Sequence, residues 1–173
     1  MLNVVLYKWL SYKFHQNSFH QNHKGVKIKM KISTKGRYAL RMLLDLAVND
    51  QGGYTALRDV AERQNISKKY LEQIVPVLHK AEILITTRGF QGGYKLAREP
   101  KDITVGEVLR LTEGNLAPVV CLETDKNPCK RAGECVTLHI WEGLQKVIAD
   151  YLDGITLQDM IEKCNTGKNE KII

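Results

Sequence analysis

The sequence predicts a mainly α-helical fold with a small β-wing, a winged helix-turn-helix, followed by a long C-terminal dimerisation helix. Three observations favour this fold class. Residues 33–80 contain three segments with apolar residues at helical spacing. A β-branched run with a Gly-rich turn follows them, which is typical of a hairpin. Further on, apolar residues cover about half the circumference of a predicted helix, more than one small domain can bury.

The distribution of charge divides the 173-residue chain. Residues 1–29 carry five Lys and no acid, residues 30–100 carry twelve basic and seven acidic side chains, and residues 101–173 carry nine and twelve. The formal charge of +7 therefore combines a basic middle with an acidic last third. This asymmetry predicts a polyanion-binding head on a body of different charge. We divide that body into a loop with helices at 101–163 and a frayed tail at 164–173.

The first 29 residues differ in composition from the rest, since they contain three of the five His, at positions 15, 20 and 23. We expect a disordered extension or a start codon assigned too early, with the ordered pattern beginning just after Met30. The three His match no standard metal-ligand spacing, so a basic tail that touches DNA phosphates is the better functional hypothesis.

The chain contains no apolar run near the roughly 20 residues that span a bilayer. It also lacks a convincing signal peptide, because Lys8 interrupts the apolar start and no small-residue cleavage site follows. We therefore expect a cytoplasmic protein without membrane contact, in a reducing compartment where cysteines serve metal or redox chemistry.

Cap residues and apolar spacing predict the helices of the head. Ser33 or Thr34 can cap a first helix that runs to about Asn49, and Gly52-Gly53 ends it.

Two further short helices complete the predicted helix-turn-helix. Thr55 can cap the first of them. Ser67 can cap the second, which we expect to extend to Leu78 and to bend or shorten at Pro76.

The next segment predicts the wing. Residues 83–87 form a β-branched run, and residues 94–97 form a second short strand. Between them lies a turn with Arg88, Gly92 and Gly93. The glycines would let the tip approach a phosphate backbone or a minor groove, and Arg88 would supply charge there.

The last third predicts helices on either side of a loop. Thr104-Val-Gly-Glu107 is a capping box for a short helix that Gly114 ends. A helical pattern then runs from Cys135 to about Asp153, and its wide apolar surface predicts burial against a second copy of the chain. The alternative is that this helix packs wholly on its own head. After the break at Gly154, Thr156 can cap a last short helix.

Three of the four cysteines, Cys121, Cys129 and Cys135, lie within fifteen residues on a polar loop. Thiols on such a loop are poor core material but good ligands for a soft metal or an iron–sulfur cluster. An odd number of clustered cysteines also fits a disulfide framework badly. The alternative is a surface loop whose cysteines have no function.

Three strings carry a resemblance to a known family: Lys35-Gly-Arg-Tyr-Ala-Leu-Arg41, Ile66-Ser-Lys-Lys-Tyr-Leu-Glu-Gln73 and Arg88-Gly-x-x-Gly-Gly-Tyr94-x-Leu. Over about residues 30–163 the chain resembles the Rrf2 family of winged-helix regulators. The three cysteines followed by Trp141 resemble its iron–sulfur cluster regulator (IscR-like) branch.

The resemblance implies a homodimeric transcription factor of the bacterial cytoplasm that reads a palindromic operator in double-stranded DNA. It also implies an iron–sulfur cluster near the dimer arm, so that residues 30–100 form the DNA-binding domain and residues 101–163 the cluster-binding loop and dimerisation helices. Ser67–Gln73 matches the recognition helix, where a Glu could accept from a cytosine amino group. The expected DNA-binding residues are Lys35, Arg37, Ser67, Lys68, Lys69, Tyr70, Glu72, Gln73, Arg88, Gly92 and Gly93.

The cysteine pattern departs from that of the best-known members, which have two five-residue gaps and a His three residues after the last cysteine. Here the spacing is C-x7-C-x5-C, the His position is Leu138, and the nearest imidazole is His139. A nitric-oxide-sensing branch uses an Asp near the start of the first helix, where this chain has Arg37. The fourth ligand stays open between His139, Glu134, Cys164 and a group of the partner subunit. We expect a 2Fe–2S cluster rather than a 4Fe–4S cluster.

Two other functions remain as alternatives. One is a cluster-free Rrf2-type repressor of cysteine metabolism that acts through an enzyme partner. The other is a regulator in which the same three cysteines form a zinc site or a thiol redox switch. An enzyme is not expected, because paired carboxylates, a nucleophile with its base and a phosphate loop are all missing from the sequence.

Overall fold

The computed structural model describes residues 31–89 and 92–165. The predicted extension at 1–29 and the end of the predicted tail lie outside these residues, whereas Cys164 and Asn165 belong to the last helix. In chain order the described elements are α1 (Thr34–Val48), α2 (Leu57–Gln64), α3 (Lys68–Lys80), β1 (Leu84–Thr87), β2 (Gly93–Leu96), α4 (Val105–Glu113), α5 (Leu138–Asp153) and α6 (Leu157–Asn165). None of the described helices is long and apolar enough to cross a bilayer.

Helix α1 is the centre of the fold and packs against α2, α3, α4, α6 and β2. Its apolar positions recur at helical spacing, so one broad face enters the core, where Ala39, Met42 and Leu43 are fully buried. Ser33 begins the helix as predicted, and its hydroxyl accepts hydrogen bonds from the first-turn amides. The fold class predicted from the sequence, mainly α-helical with a small β-wing, is confirmed.

The turn between α2 and α3 is tight. Asn65 ends α2 in the left-handed conformation (φ 50°), which Asn tolerates better than most side chains. Ile66 is buried, and its amide donates to the Ala61 carbonyl. The Ser67 hydroxyl then accepts from the Tyr70 amide and caps α3, as predicted. These short-range bonds fix the direction in which α3 leaves the turn.

Thr55 does not cap α2, and this prediction was wrong. The cap position is Ala56, which has no side-chain hydrogen bond there. Thr55 instead pairs with Tyr94 of the wing through two backbone hydrogen bonds of 3.0 and 2.9 Å. The pairing joins the segment before α2 to a strand almost forty residues later, so local cap preferences could not predict it.

The wing is a two-stranded antiparallel sheet in which Leu84 pairs with Leu96 and Thr87 with Gly93. Gly93 is buried, and a Cβ at this position would overlap the Thr55 carbonyl oxygen. The close approach of two backbones therefore requires glycine here. The tip residues Phe90 and Gln91 lie outside the described residues.

Helix α3 passes through Pro76 and continues to Lys80, so the expected shortening does not occur. The fourth helix matches its prediction more closely. Thr104 caps it by accepting from the Glu107 amide at 3.1 Å, and Gly114 ends it with φ 83°. The Glu107 carboxylate accepts a 2.6 Å bond from Arg98 rather than one from the Thr104 amide, so only the Thr104 half of the predicted capping box is confirmed.

Helix α5 begins at Leu138, three residues later than predicted, because Cys135 is in an extended conformation just before it. It has no buried residue in the described structure. Its C-terminal end is attached to the head, since the Val105 amide donates to the Ile155 carbonyl and the Leu157 amide to the Ile103 carbonyl, at 2.8 and 2.9 Å. Thr156 caps α6 through a reciprocal pair of bonds with Asp159, as predicted.

The buried charge of the core is Asp45, the one charged side chain that is buried among the described residues. Its carboxylate accepts two 3.1 Å bonds from Arg63 Nε, a 2.6 Å bond from Arg63 Nη2 and a 2.9 Å bond from Gln64 Nε2. Hydrogen bonding between Arg63 and Asp45 raises the pKa of the Arg63 guanidinium above its usual value. Arg41 also donates hydrogen bonds to the side-chain oxygen and to the backbone oxygen of Gln64. The last two residues of α2 are therefore fastened to α1 just before the turn.

Truncation of Arg63 tests this ion pair. Arg63→Ala leaves the Asp45 carboxylate buried without its charged partner, so we expect the free energy of unfolding to fall by about 3–5 kcal/mol. Asp45→Ala should cost less, because the Arg63 side chain is 37% exposed and water can hydrate its freed guanidinium. Urea titration measures both losses.

Arg58→Ala is the matched control on the same helix. Arg58 lies 3.8 Å from Asp59 and Glu62 and is 77% exposed, so its loss should cost below about 1 kcal/mol. Equal losses in the three variants would contradict the role of the buried carboxylate.

Candidate nucleic-acid interface and cysteine loop

Helix α3 presents one apolar face and one polar face. Leu71, Ile74, Val75 and Leu78 are buried in the core, which leaves the positions between them on the outer side. This outer side carries four of the predicted DNA-binding residues as exposed side chains: Lys68, Lys69, Glu72 and Gln73. The structure therefore brings these four residues together on one accessible surface.

Lys68 and Glu72 form an ion pair across one helical turn, with 3.5 Å between Nζ and Oε1. Both side chains are more than half exposed, so the pair is solvated and weak. Lys69 has no such partner on α3 in the described structure. Its ammonium is therefore the freer cation for a phosphate, whereas Glu72 can exchange Lys68 for another donor.

Tyr70 and Ser67 have structural roles in addition to any contact with DNA. Ser67 caps α3, and Tyr70 is half-buried with its ring 5.3 Å from that of Tyr38, edge to face. The Arg41 guanidinium lies over the Tyr38 ring, with its central carbon 5.5 Å from the ring centroid. Tyr38 and Arg41 were not predicted as site residues, although they are three residues apart on α1 and so share a helical face.

A groove of about 580 Å³ lies between α3 and the wing. Lys68, Glu72 and His79 line it from the helix, and Arg88 and Gly92 line it from the wing. Gly92 also closes the hairpin, since its amide donates to the Gly89 carbonyl and an added Cβ would lie 2.7 Å from the Thr87 oxygen. The groove thus combines helix and wing residues that are twenty positions apart in the sequence.

Two more predicted residues lie at the start of α1. Arg37 is exposed, and its guanidinium donates to the Ser33 carbonyl at 3.4 Å and to the Thr34 hydroxyl at 3.2 Å. Lys35 is half-buried in the same turn. The Arg37 guanidinium is therefore attached to the first turn through Ser33 and Thr34.

The cysteine loop is attached at two points. Asn115 holds its start by accepting from the Ala117 amide at 2.6 Å and donating to the Glu123 carbonyl. Gln145 of α5 donates to the Leu122 carbonyl at 3.4 Å. All four cysteines are free thiols, with Cys121 and Cys135 half-buried and Cys129 and Cys164 exposed.

Cys135 differs in its surroundings. A hydrogen bond with the Thr137 hydroxyl, at 3.5 Å, is the main cause that lowers the pKa of the Cys135 thiol. Backbone amides at the start of α5 and the charge of Arg131 add to this effect. Cys135 therefore loses its proton more readily than an ordinary cysteine. The resulting thiolate is the form that binds metals.

The donor atoms fit an iron–sulfur cluster in their chemistry, because three accessible free thiols occupy one loop. Their arrangement is not a ready-made site: within residues 31–89 and 92–165, no three His, Cys, Asp or Glu side chains are grouped for a metal ion. His139 is exposed on the first turn of α5. The expectation that Cys135 and His139 share one helix was wrong, because Cys135 precedes the helix.

Together, a capped third helix with a polar outer face, a glycine-bearing wing and the groove between them define a winged helix-turn-helix protein. The family model described as "Rrf2: Iron-dependent Transcriptional regulator" matches residues 32–163. The chain belongs to the Rrf2 family of transcriptional regulators.

Two kinds of relative support this assignment. The structure of CymR, the global cysteine regulator of Bacillus subtilis, is 39% identical, covers 77% of this chain and 97% of its own, and has a TM-score of 0.62. The structure of T. potens IscR is 41% identical, covers 80% of this chain and 90% of its own, and has a TM-score of 0.63. IscR of Aliivibrio salmonicida is 38% identical over 132 residues, which are 76% of this chain and 77% of that protein.

These relatives confirm the resemblance seen in the three sequence strings. They are named as transcriptional regulators, which agrees with the expectation that the chain is not an enzyme. The CymR and IscR relatives match the chain at similar identity, 40% and 38%. Identity therefore does not distinguish a CymR-like from an IscR-like regulator, and the cysteine loop is the feature to compare.

Proposed function

We propose that this protein is a cytoplasmic, DNA-binding transcriptional regulator that acts as a homodimer and reads a palindromic operator with α3 and the wing. The observation that carries this proposal is the groove between them, lined by Lys68, Glu72 and Arg88. Helix-turn-helix proteins place such a helix in the major groove, where side chains of its first turns meet base edges.

Charge and hydrogen-bonding capacity separate the residues of this surface into those suited to phosphates and those suited to bases. Lys69 and the wing's Arg88 are exposed cations suited to phosphates. Glu72 and Gln73 are exposed in the second turn of α3, and their side-chain oxygens can accept from base amino groups. Phosphate contacts position the protein, whereas these two side chains would select the sequence.

Substitutions on α3 test this division. The probe is a duplex that the wild-type protein selects from a randomised DNA pool, called here the selected duplex. Glu72→Ala should change base preference at one fixed position of each half-site. Lys69→Ala should weaken all sequences and reduce the slope of log affinity against log salt by about one. Fluorescence anisotropy at several salt concentrations measures both effects.

Lys80→Ala is the matched control, because Lys80 lies at the other end of α3 and is also exposed. It should leave the affinity for the selected duplex within about twofold. If the three variants bound the randomised pool and the selected duplex as the wild type does, α3 would not be the reading helix.

Helix α5 supports the homodimer. Ile140, Leu144, Val147 and Tyr151 recur at helical spacing and are 39–68% exposed. A contiguous apolar stripe of this length favours an interface. An isologous contact between two copies would bury the same stripe twice and would place two recognition helices on one face, as a palindrome requires.

A charge in the middle of this stripe tests the dimer. Val147→Glu should convert the protein to a monomer in sedimentation experiments and lower affinity for the selected duplex by at least tenfold, because each half-site would be bound alone. Lys146→Glu is the control, since Lys146 lies beside the stripe and pairs with Asp150 at 2.6 Å. A Val147→Glu protein that remained dimeric would place the interface elsewhere.

We further propose that Cys121, Cys129 and Cys135 hold an iron–sulfur cluster that modulates operator binding. Three accessible thiols on one loop support this, as do the IscR relatives. Such a cluster would supply a redox-sensitive link between the two ends of the loop. The chain's own residues then determine the response, because the loop joins the head at Gly114 to α5 at Leu138.

A second candidate function is a cluster-free regulator like CymR, which would act through a protein partner. The CymR structure, 39% identical to this chain, favours it. A zinc site or a thiol switch on the same cysteines is a related candidate, and the lowered pKa of Cys135 supports it.

Iron, sulfide and zinc analysis after anaerobic purification distinguishes these candidates. If a cluster is bound, any single Cys→Ala among the three should abolish visible absorption and change affinity for the selected duplex by roughly 5–150-fold. Cys164→Ala is the control and should do neither. Colourless protein with zinc would favour the zinc candidate. A triple variant that bound like the cluster-loaded wild type would disprove sensing even with a cluster present.

A further inference from the structure

The first turn of α1 is capped from a distance by Glu113, the last residue of α4. Its Oε1 accepts from the Ser33 amide at 3.2 Å, from the Ser33 hydroxyl at 2.8 Å and from the Gly36 amide at 3.1 Å. These residues are 77 to 80 positions away in the sequence. One carboxylate oxygen thus satisfies donors that a helix start leaves without partners inside the helix.

Gly36 makes this contact possible. It is buried in α1, and an added Cβ would overlap Glu113 Oε1 and lie 3.0 Å from Leu109 Cδ2 and 3.2 Å from Thr112 Oγ1. Glycine weakens a helix in which it stands. Its presence in the first turn of α1 is explained by the close approach of α4.

The electrostatics of the turn also favour Glu113. The first turn of α1 has no acidic residue of its own, although negative charge is favourable at a helix N-terminus. Instead it carries Lys35 and Arg37, both predicted to contact DNA. The Glu113 carboxylate therefore stabilises the start of α1 from the side that faces α4, and the exposed side of the turn stays positive.

Contacts lead from Glu113 to Arg37 through Ser33. Glu113 fixes the amide and hydroxyl of Ser33, and the Ser33 carbonyl accepts from Arg37 Nε at 3.4 Å. Arg37 also donates to the neighbouring Thr34 hydroxyl. The direction of the Arg37 guanidinium therefore depends on a backbone segment that Glu113 holds.

We propose that Glu113 is a positioning residue for DNA binding, which acts by holding the first turn of α1 so that Arg37 meets the phosphate backbone. The inference rests on the proposed DNA-binding function and assigns to that function a residue that does not touch DNA. A role in stability alone is the competing explanation.

Three variants separate the two explanations. Glu113→Gln keeps one acceptor oxygen but removes the negative charge that strengthens the bonds to Ser33 and Gly36. Gly36→Ala displaces the carboxylate but raises the intrinsic helix propensity of α1. Glu107→Gln is the control, because Glu107 belongs to the same helix and bonds to Arg98 rather than to α1. Affinity for the selected duplex, its salt dependence and the thermal midpoint are measured for each dimeric, full-length protein.

We expect Glu113→Gln and Gly36→Ala each to lower affinity for the selected duplex by roughly tenfold and to reduce the salt slope by about one, as expected for one lost phosphate contact. Glu107→Gln should change affinity by less than about twofold even if its thermal midpoint falls further. Arg37→Ala should be costly in the wild type and clearly less costly in the Glu113→Gln background, since coupled residues are not additive.

Additive losses for Arg37→Ala and Glu113→Gln would overturn the inference, as would losses of affinity that follow the thermal midpoint in all variants. If a Glu113 variant does not fold, Gly36→Ala with and without Arg37→Ala gives the same cycle. Failure of the wild type to select any duplex would instead disprove the DNA-binding function, together with the inference that rests on it.

Discussion

The ion pair between the buried Asp45 carboxylate and Arg63 fixes the geometry on which the proposed DNA-binding surface depends. It fastens the end of α2 to α1, and Arg41 adds a second attachment through Gln64. The next residue is Asn65 in the left-handed conformation, and α3 begins three residues later. Because the turn is so short, the orientation of α3 is set by where α2 ends. A buried charge is a costly way to hold two helices, but its hydrogen bonds specify direction, which an apolar contact would do less strictly.

The helices of the fold were predictable because their signals are local. Ser33, Ser67, Thr104 and Thr156 each accept from an amide within three residues, and apolar spacing marks the buried face of α1 and α3. Contacts between distant segments were not predictable. The pairing of Thr55 with Tyr94 and the capping of α1 by Glu113 join residues that no cap rule or periodicity connects.

The candidate site divides in the same way. Periodicity was sufficient to place Lys68, Lys69, Glu72 and Gln73 on the outer face of α3, since burial of the opposite face follows from the apolar pattern. It could not show that Tyr70 packs on Tyr38, or that Gly93 is required by Thr55, because both depend on a second segment. The cysteines are an intermediate case: their density in the sequence indicates metal chemistry, whereas their spatial arrangement depends on how the loop folds.

Helix α5 links the folded state of the proposed dimer to the amount of protein present. Its sixteen residues include no buried side chain in the described structure, and a helix of this length has little stability of its own in water. If a second copy covers the stripe from Ile140 to Tyr151, helix formation and association are one equilibrium governed by mass action. Dilution would then melt the arm while the head, with its own core around α1, stays folded.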